Sequence, residues 1–276
     1  MEEMQERVKE GLPAIVEAVN TYLRGQNHAR IRHKVCEIEP GKAEPSWFRH
    51  FAKAKRPERT DGKSLGTYIE KLLKAEISRF FGIAIGGSPA AGVDIPELAL
   101  NTKATSDRQP QSSEPFHSPY DRVLGSKYDI VVCIYNGTEL FGSTACPLRI
   151  LSAQYLERTE VADKKLCATA THLQALACNS QIQADLARRT LRAIVYAKKG
   201  GPKRASYTAL DKSLASGDVT HVSETVQTCE MDMAAEGEIA LPNEEEWSDF
   251  LAAPLNGKIG ISFALQWRYQ FRSLAE

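Results

Sequence analysis

"GVDIPELALNTKATS", residues 92–106, decides how the chain is read. Side chains at i and i+2 of a strand point the same way, so Asn101 and Lys103 share one face of an extended segment. Pro96 permits a bend that brings Asp94 alongside them. Magnesium takes hard oxygen ligands, commonly one or two carboxylates completed by water and phosphate. A lysine beside such an ion orients the attacking water and stabilises charge on phosphate, which is what metal-assisted phosphodiester hydrolysis needs. The same spacing also arises by chance, as a surface turn followed by an ordinary strand, so its neighbours must arbitrate.

Upstream, "SLGTYIEKLLKAEISRFFG", 64–82, is an amphipathic helix. Ser64 is placed to cap it, Leu65, Tyr68, Ile69, Leu72, Leu73, Ile77 and Phe80 follow helical spacing, and Gly82 supplies the stop. Glu70 sits one turn after Gly66. It reads either as an extra metal ligand or supporting base near the sheet, or as a solvated partner of Lys74 at i+4. "IAIGGSPAAG" lacks the Gly-Lys-Ser/Thr ending of a phosphate-binding loop and reads as a connection. Downstream, "YDIVVCIYNG", 128–137, is apolar, β-rich and ended by Asn-Gly, the clearest strand in the chain.

The order of these parts carries a resemblance. "GKSLGTYIEKLL" followed by "GVDIPELALNTKAT", and then by "ATSDRQPQSSEPF" leading into "SPYDRVLGSKYDIVVCIY", resembles the core of the MutH-type endonucleases. These are a branch of the PD-(D/E)XK nuclease superfamily that includes a mismatch-repair nicking enzyme and several type II restriction endonucleases. The resemblance covers about residues 62–136. It implies a restriction-endonuclease-like α/β fold, a mixed central sheet flanked by helices, with further helical and strand elements in the C-terminal half. It matches Glu70 to the family's helical glutamate, Asp94 to its first metal-binding aspartate and Lys103 to its lysine. Asn101 departs from the pattern, because the family carries Glu or Asp there. Asn is nearly isosteric with Asp but neutral, and its oxygen loses the charge attraction that makes a divalent site tight. Three explanations arise: a natural variant whose charge comes from Glu70 or Glu97, a degenerate enzyme, or a carboxylate deliberately replaced to permit binding without cutting; the third is preferred, with activity reduced or lost.

The resemblance therefore implies a sequence-specific endonuclease of double-stranded DNA, of type II restriction kind. Asp94, Asn101 and Glu70 are its candidate metal ligands, and Lys103 assists the water. Mg2+ is the expected cofactor, with Mn2+ able to substitute and Ca2+ able to support binding without cleavage. A homodimer is expected, because two cuts in opposite strands of a palindrome match two-fold symmetry. The setting implied is the cytoplasm of a bacterial or archaeal cell. A mismatch-repair-type nicking enzyme and an inactive DNA-binding protein on the same fold are the alternatives.

Composition narrows the rest. The 276 residues include 35 Lys+Arg and 35 Asp+Glu, so no global field draws a polyanion and any DNA surface must come from local clusters. One cluster is "KAKRPERTDGK", with Lys53, Lys55, Arg56, Arg59 and Lys63. Another is "YAKKGGPKRAS", with Lys198, Lys199, Lys203 and Arg204 around a Gly-Gly-Pro turn. Such loops suit phosphate contacts. Lys63, Ser64, Lys199, Lys203 and Arg204 are the candidates there, and Arg108, Gln109, Gln111 and Ser112 are candidates in the polar loop after the strand. The six cysteines lack CxxC spacing and read as reduced thiols. No window approaches the roughly 20 apolar residues that span a bilayer.

Along the chain, 3–24 reads as a helix that Gly11-Leu12-Pro13 breaks, and 39–63 as a basic loop. Residues 161–196 read as helices with a break at Asn179-Ser180, and 219–240 as strand-like pieces. Residues 243–254 read as a short helix and 258–271 as a last strand. The expected organisation is an N-terminal helical region and basic loop over 1–60, a catalytic core over 61–150, and a part over 151–276 that completes the core and contributes DNA recognition. All three could also form one compact domain.

Overall fold

A computed structural model of the chain describes residues 2–24, 34, 37, 62–83, 93–107, 118–136, 148–197, 203–236, 239–256 and 259–260. Two compact units interleave along the sequence: 1–113 with 128–157 and 263–276, and 114–127 with 158–262.

The first unit holds α1 (Glu2–Leu23), α2 (Gly62–Phe81) and a three-stranded sheet. α1 buries Val8, Leu12, Ile15, Val19 and Leu23 at helical spacing. The expected break at Gly11-Leu12-Pro13 does not occur. Pro13 is exposed inside a continuous helix, and Gly11 lies under Phe80, whose ring a Cβ at position 11 would meet at 2.9 Å. Gly11 is thus a contact point between helices rather than a breaker.

α2 buries Leu65, Tyr68, Ile69, Leu72, Leu73 and Ile77, each at 1% exposure or less. Burial of this kind contributes about 2 kcal/mol per side chain. The helix begins at Gly62, so Ser64 stands in its first turn and is not the cap expected of it. Phe80, expected on the buried face, is 47% exposed. Gly82 ends the helix at φ 65°, and the Ile83 N–H closes back on the Ser78 carbonyl at 2.8 Å.

The sheet runs in the order β1 (Leu100–Ser106), β2 (Asp129–Tyr135), β3 (Ile150–Leu156). β1 and β2 are parallel, with Leu100 opposite Asp129 and Ala104 opposite Cys133; β3 is antiparallel to β2. Leu100, Ala104, Val131, Cys133 and Tyr135 share one core with α1 and α2. Asn20 of α1 serves as a partner for the end of β3, accepting the Ile150 N–H at 2.7 Å and donating to its carbonyl at 3.1 Å. The result is a mixed sheet with helices packed against it, in line with the α/β expectation.

The second unit holds α3 (Asp121–Leu124), β4 (Val161–Ala162), α4 (Lys164–Cys178), α5 (Ala184–Ala197), α6 (Lys203–Ser216), α7 (Val219–Glu236), α8 (Glu244–Ala252) and β5 (Ile259–Gly260). The break expected at 179–180 is present, with Ser180 at φ 54° between α4 and α5. The strands expected over 219–240 are instead the helix α7. Its Val and Thr residues suggest a strand, but Val222, Val226, Cys229 and Met233 recur at helical spacing and are buried in the core of this unit. α8 is the short helix expected, opened by a capping box between Asn243 and Glu246. Among the described residues, no helix is long and apolar enough to cross a membrane.

Gly66 sets how closely α2 lies on the sheet. A Cβ there would stand 3.4 Å from the Ala104 carbonyl oxygen and 3.6 Å from the Tyr135 hydroxyl. A methyl group fits and a larger side chain does not. We expect Gly66→Ala to change stability by less than about 1 kcal/mol, and Gly66→Leu to cost about 1–3 kcal/mol. Urea denaturation reads both, and a Leu variant as stable as the parent would refute the close approach.

Candidate active site

The site starts from one tight reversal. Pro96–Leu98 form a 3-10 turn, and Ala99 completes the turn at φ 47°. Ile95 and Leu100 then exchange both backbone hydrogen bonds, at 3.0 and 3.2 Å. This places Asp94 across from Asn101. Leu100 thus turns its N–H and C=O toward Ile95, on the side of β1 away from β2. By alternation, the N–H groups of Thr102 and Ala104 point to that same edge.

Both edge donors end on carboxylates. The Thr102 N–H donates to Asp94 Oδ2 at 2.8 Å, and the Thr102 hydroxyl donates to the same oxygen at 3.0 Å. The Ala104 N–H donates to Glu70 Oε1 at 2.9 Å. Glu70 reaches this point because it lies one helical turn beyond Gly66, where α2 touches the Ala104 carbonyl. The two donors lie about 6.6 Å apart along the strand. In return, the Asp94 N–H donates to Asn101 Oδ1 at 2.9 Å. Asn101 is 5% exposed. Lys103 is half-buried on the same strand face as Asn101.

The electrostatics follow from that crowding. The Glu70 carboxyl is pushed up to about 7, chiefly by burial. The Ala104 N–H and the Lys103 and Lys71 ammonium groups pull it down, and the Asp94 carboxylate pushes it up. Burial, with Glu70 nearby, also raises the Cys133 thiol, which faces Ala104 on the next strand. Glu70 is therefore not the solvated partner of Lys74. It lies within electrostatic reach of Asp94 and Lys103, and burial is the main cause of its raised carboxyl.

That donor set suits a small hard cation. Asp94 and Glu70 each commit one oxygen to β1 and keep a second outside those bonds. Mg2+ is commonly held by one or two carboxylates with water and phosphate completing the shell. Asn101 suits the ion less well, because its oxygen already accepts from Asp94. Among the described residues, no group of three or more His, Cys, Asp or Glu forms a ligand cluster. Two carboxylates are what this edge provides.

The structure brings Glu70, Asp94, Asn101 and Lys103 together. Glu97 is exposed in the 3-10 turn and is not among the groups that act on Glu70. Lys63 and Ser64 fall in the first turn of α2, and Lys203 and Arg204 in the first turn of α6 rather than in the loop expected of them. The side chains of these four lie outside the described residues, as do Arg108, Gln109, Gln111, Ser112 and Lys199 altogether. Sequence reasoning passed over Thr102. It occupies the unspecified place between Asn101 and Lys103, and only the fold reveals that it holds Asp94 twice.

A family model described as "Type II restriction enzyme NspV" matches residues 47–201. The chain is also 36% identical, over 104 residues, to a curated protein from a Nostoc species named "Type II restriction enzyme NspV". That match covers 38% of this chain and 47% of the relative, just under half of the relative's length. No solved structure matches the chain.

The raised Glu70 carboxyl has a thermodynamic consequence. It holds its proton in the folded chain to about pH 7, but releases it near the model-peptide value of 4.5 when unfolded. The folded state thus binds more protons between those values, and stability falls as pH climbs through that window. Glu70→Gln keeps an acceptor for the Ala104 N–H and removes the charge. Its stability gain over the parent should grow from pH 4.5 to 7, by on the order of 2 kcal/mol, and level off above. Urea titrations at pH 4.5, 6 and 8 measure it. A gain independent of pH would mean that Glu70 is not crowded.

Proposed function

The chain belongs to the NspV family of type II restriction enzymes, and from that membership we propose that it is a sequence-specific endonuclease hydrolysing double-stranded DNA with the help of a divalent ion, Mg2+ by preference. The observation that carries this reading is the pair of carboxylates, Asp94 and Glu70, tethered to adjacent edge positions of β1 beside Lys103. Mn2+ would replace Mg2+ and Ca2+ would support binding without cleavage, because the ligands are hard oxygens in each case.

Asp94 and Glu70 would hold the ion. When bound, it supplies Lewis acidity to the attacking water and positive charge at the phosphate. Lys103 shares the site and lowers the Glu70 pKa through its charge. From there it orients the attacking water and balances the charge that builds on phosphate as the phosphorus–oxygen bond to the leaving group breaks. Thr102 fixes the Asp94 side chain through Oδ2, and the other oxygen of Asp94 would be available to the ion. Glu70 thus provides the second carboxylate that position 101 lacks. This favours a natural variant over a degenerate enzyme or a deliberate replacement.

The order of Glu70, Asp94 and Lys103 along the chain supports a place in the MutH-like branch of the PD-(D/E)XK superfamily. A homodimer is proposed with it, because two-fold symmetry would match two cuts in opposite strands of a palindrome. The C-terminal part, over which the family match continues to residue 201, is proposed to contribute to DNA recognition.

We expect the chain to cut phage DNA into discrete fragments in Mg2+. Asp94→Ala and Glu70→Gln should each lower the single-turnover rate by at least a hundredfold while retaining DNA binding in Ca2+. Gel assays with titrated enzyme check this. A smear would mean a non-specific nuclease, intact DNA would mean a binding protein, and full cutting by Asp94→Ala would remove Asp94 from the site.

A further inference from the structure

Position 101 is where this chain departs from the nuclease pattern, and the hydrogen bonds around it give the departure a use. The amide of Asn101 is planar and its two ends differ: the oxygen only accepts and the nitrogen only donates. The Asp94 backbone N–H is a donor, so it can be met only by Oδ1, as it is at 2.9 Å. That bond settles which way the amide faces. The end left to meet a ligand is the Nδ2 amino group, with two N–H donors. Strand alternation puts Asn101 on the same face as Lys103.

We propose that Asn101 is a catalytic hydrogen-bond donor: its Nδ2 binds a non-bridging oxygen of the scissile phosphate, while its Oδ1 holds the backbone of Asp94. This deepens the endonuclease reading above and rests on it. The amide is then not a weakened metal ligand. It is a neutral donor aimed where negative charge grows during hydrolysis, in the manner of other oxyanion-stabilising groups. A carboxylate could accept equally well from the Asp94 N–H. It would, however, present a second negative oxygen to the phosphate, in a cluster where Asp94 and Glu70 already repel each other. Thr102 makes the arrangement specific. Its N–H and hydroxyl clamp Asp94 Oδ2, so Asn101 and Thr102 hold one aspartate by its backbone and by its side chain.

The test compares the parent, Asn101→Asp and Asn101→Ser, with Asp94→Ala as the control. Three readouts are taken at fixed salt: calorimetric Ca2+ binding to the free protein, DNA affinity without divalent ions, and single-turnover cleavage in Mg2+. Asn101→Asp should bind Ca2+ at least as tightly as the parent, since it adds charge. It should bind DNA at least tenfold more weakly and cleave about a hundredfold more slowly. If it melts below the assay temperature, Asn101→Ser decides. It is neutral and its hydroxyl can still accept from Asp94, so its Ca2+ affinity should stay within twofold of the parent while cleavage falls. Faster or equal cleavage by Asn101→Asp overturns the proposal, as does Ca2+ binding that weakens in Asn101→Ser. A parent that cuts DNA, with Asp94→Ala inactive, leaves the endonuclease reading standing even then. A parent that leaves DNA intact removes both.

Discussion

Two backbone N–H groups on one edge of β1, those of Thr102 and Ala104, each donate to a carboxylate, and the rest of the first unit is arranged so that they can. Buried edge donors left without acceptors would cost about 1–3 kcal/mol each and would invite pairing with another strand. Asp94 reaches the first donor because the chain reverses within four residues, with Ala99 in the left-handed region. Glu70 reaches the second because Gly66 lets α2 approach to van der Waals contact with the strand. The buried face of α2 supplies the apolar contact that holds it there. Thus the acids proposed to bind the ion are also the groups that finish the sheet.

This double duty explains the electrostatic state of the cluster. Bonds to backbone N–H groups favour the charged form of a carboxylate, yet the Glu70 carboxyl is still pushed up to about 7 by burial, with Asp94 adding to it. The shift is chiefly the cost of burying the charged form, with Lys103 and Lys71 opposing it. Shifts of this kind recur at functional sites and also at purely structural buried carboxylates. A third carboxylate at position 101 would add to the shift, which gives the neutral Asn101 a physical reason beside its hydrogen bond to Asp94.

What the sequence disclosed depended on how local each signal was. Asn101 and Lys103 could be placed on one face from strand periodicity alone. Pro96 marked the bend that brings Asp94 back. Glu70 was harder, since Lys74 four residues on offered an equally good surface pair. Only the distance between α2 and β1, set by a glycine with no motif of its own, separates the two. The role of Thr102 has no sequence signature, because its hydroxyl acts across the turn and not along the strand. β3 was missed because its middle residues are partly exposed and do not alternate. α7 was misread because Val and Thr carry β propensity, while its buried residues recur at helical spacing. At Gly11, packing against Phe80 outweighs local helix preference, and Pro13 is carried on the exposed side of the same helix.

Glu70, rather than residue 101, is proposed to provide the second carboxylate for the ion. Crystals of the parent chain grown or soaked with Mn2+ allow the ion to be located by its anomalous scattering, independently of any assay of cutting. The expected map has a peak in bonding contact with both Asp94 and Glu70, with Asn101 Oδ1 still accepting from the Asp94 N–H. A peak coordinated by Asp94 and Asn101 Oδ1, with Glu70 turned away on the Ala104 N–H, would contradict it.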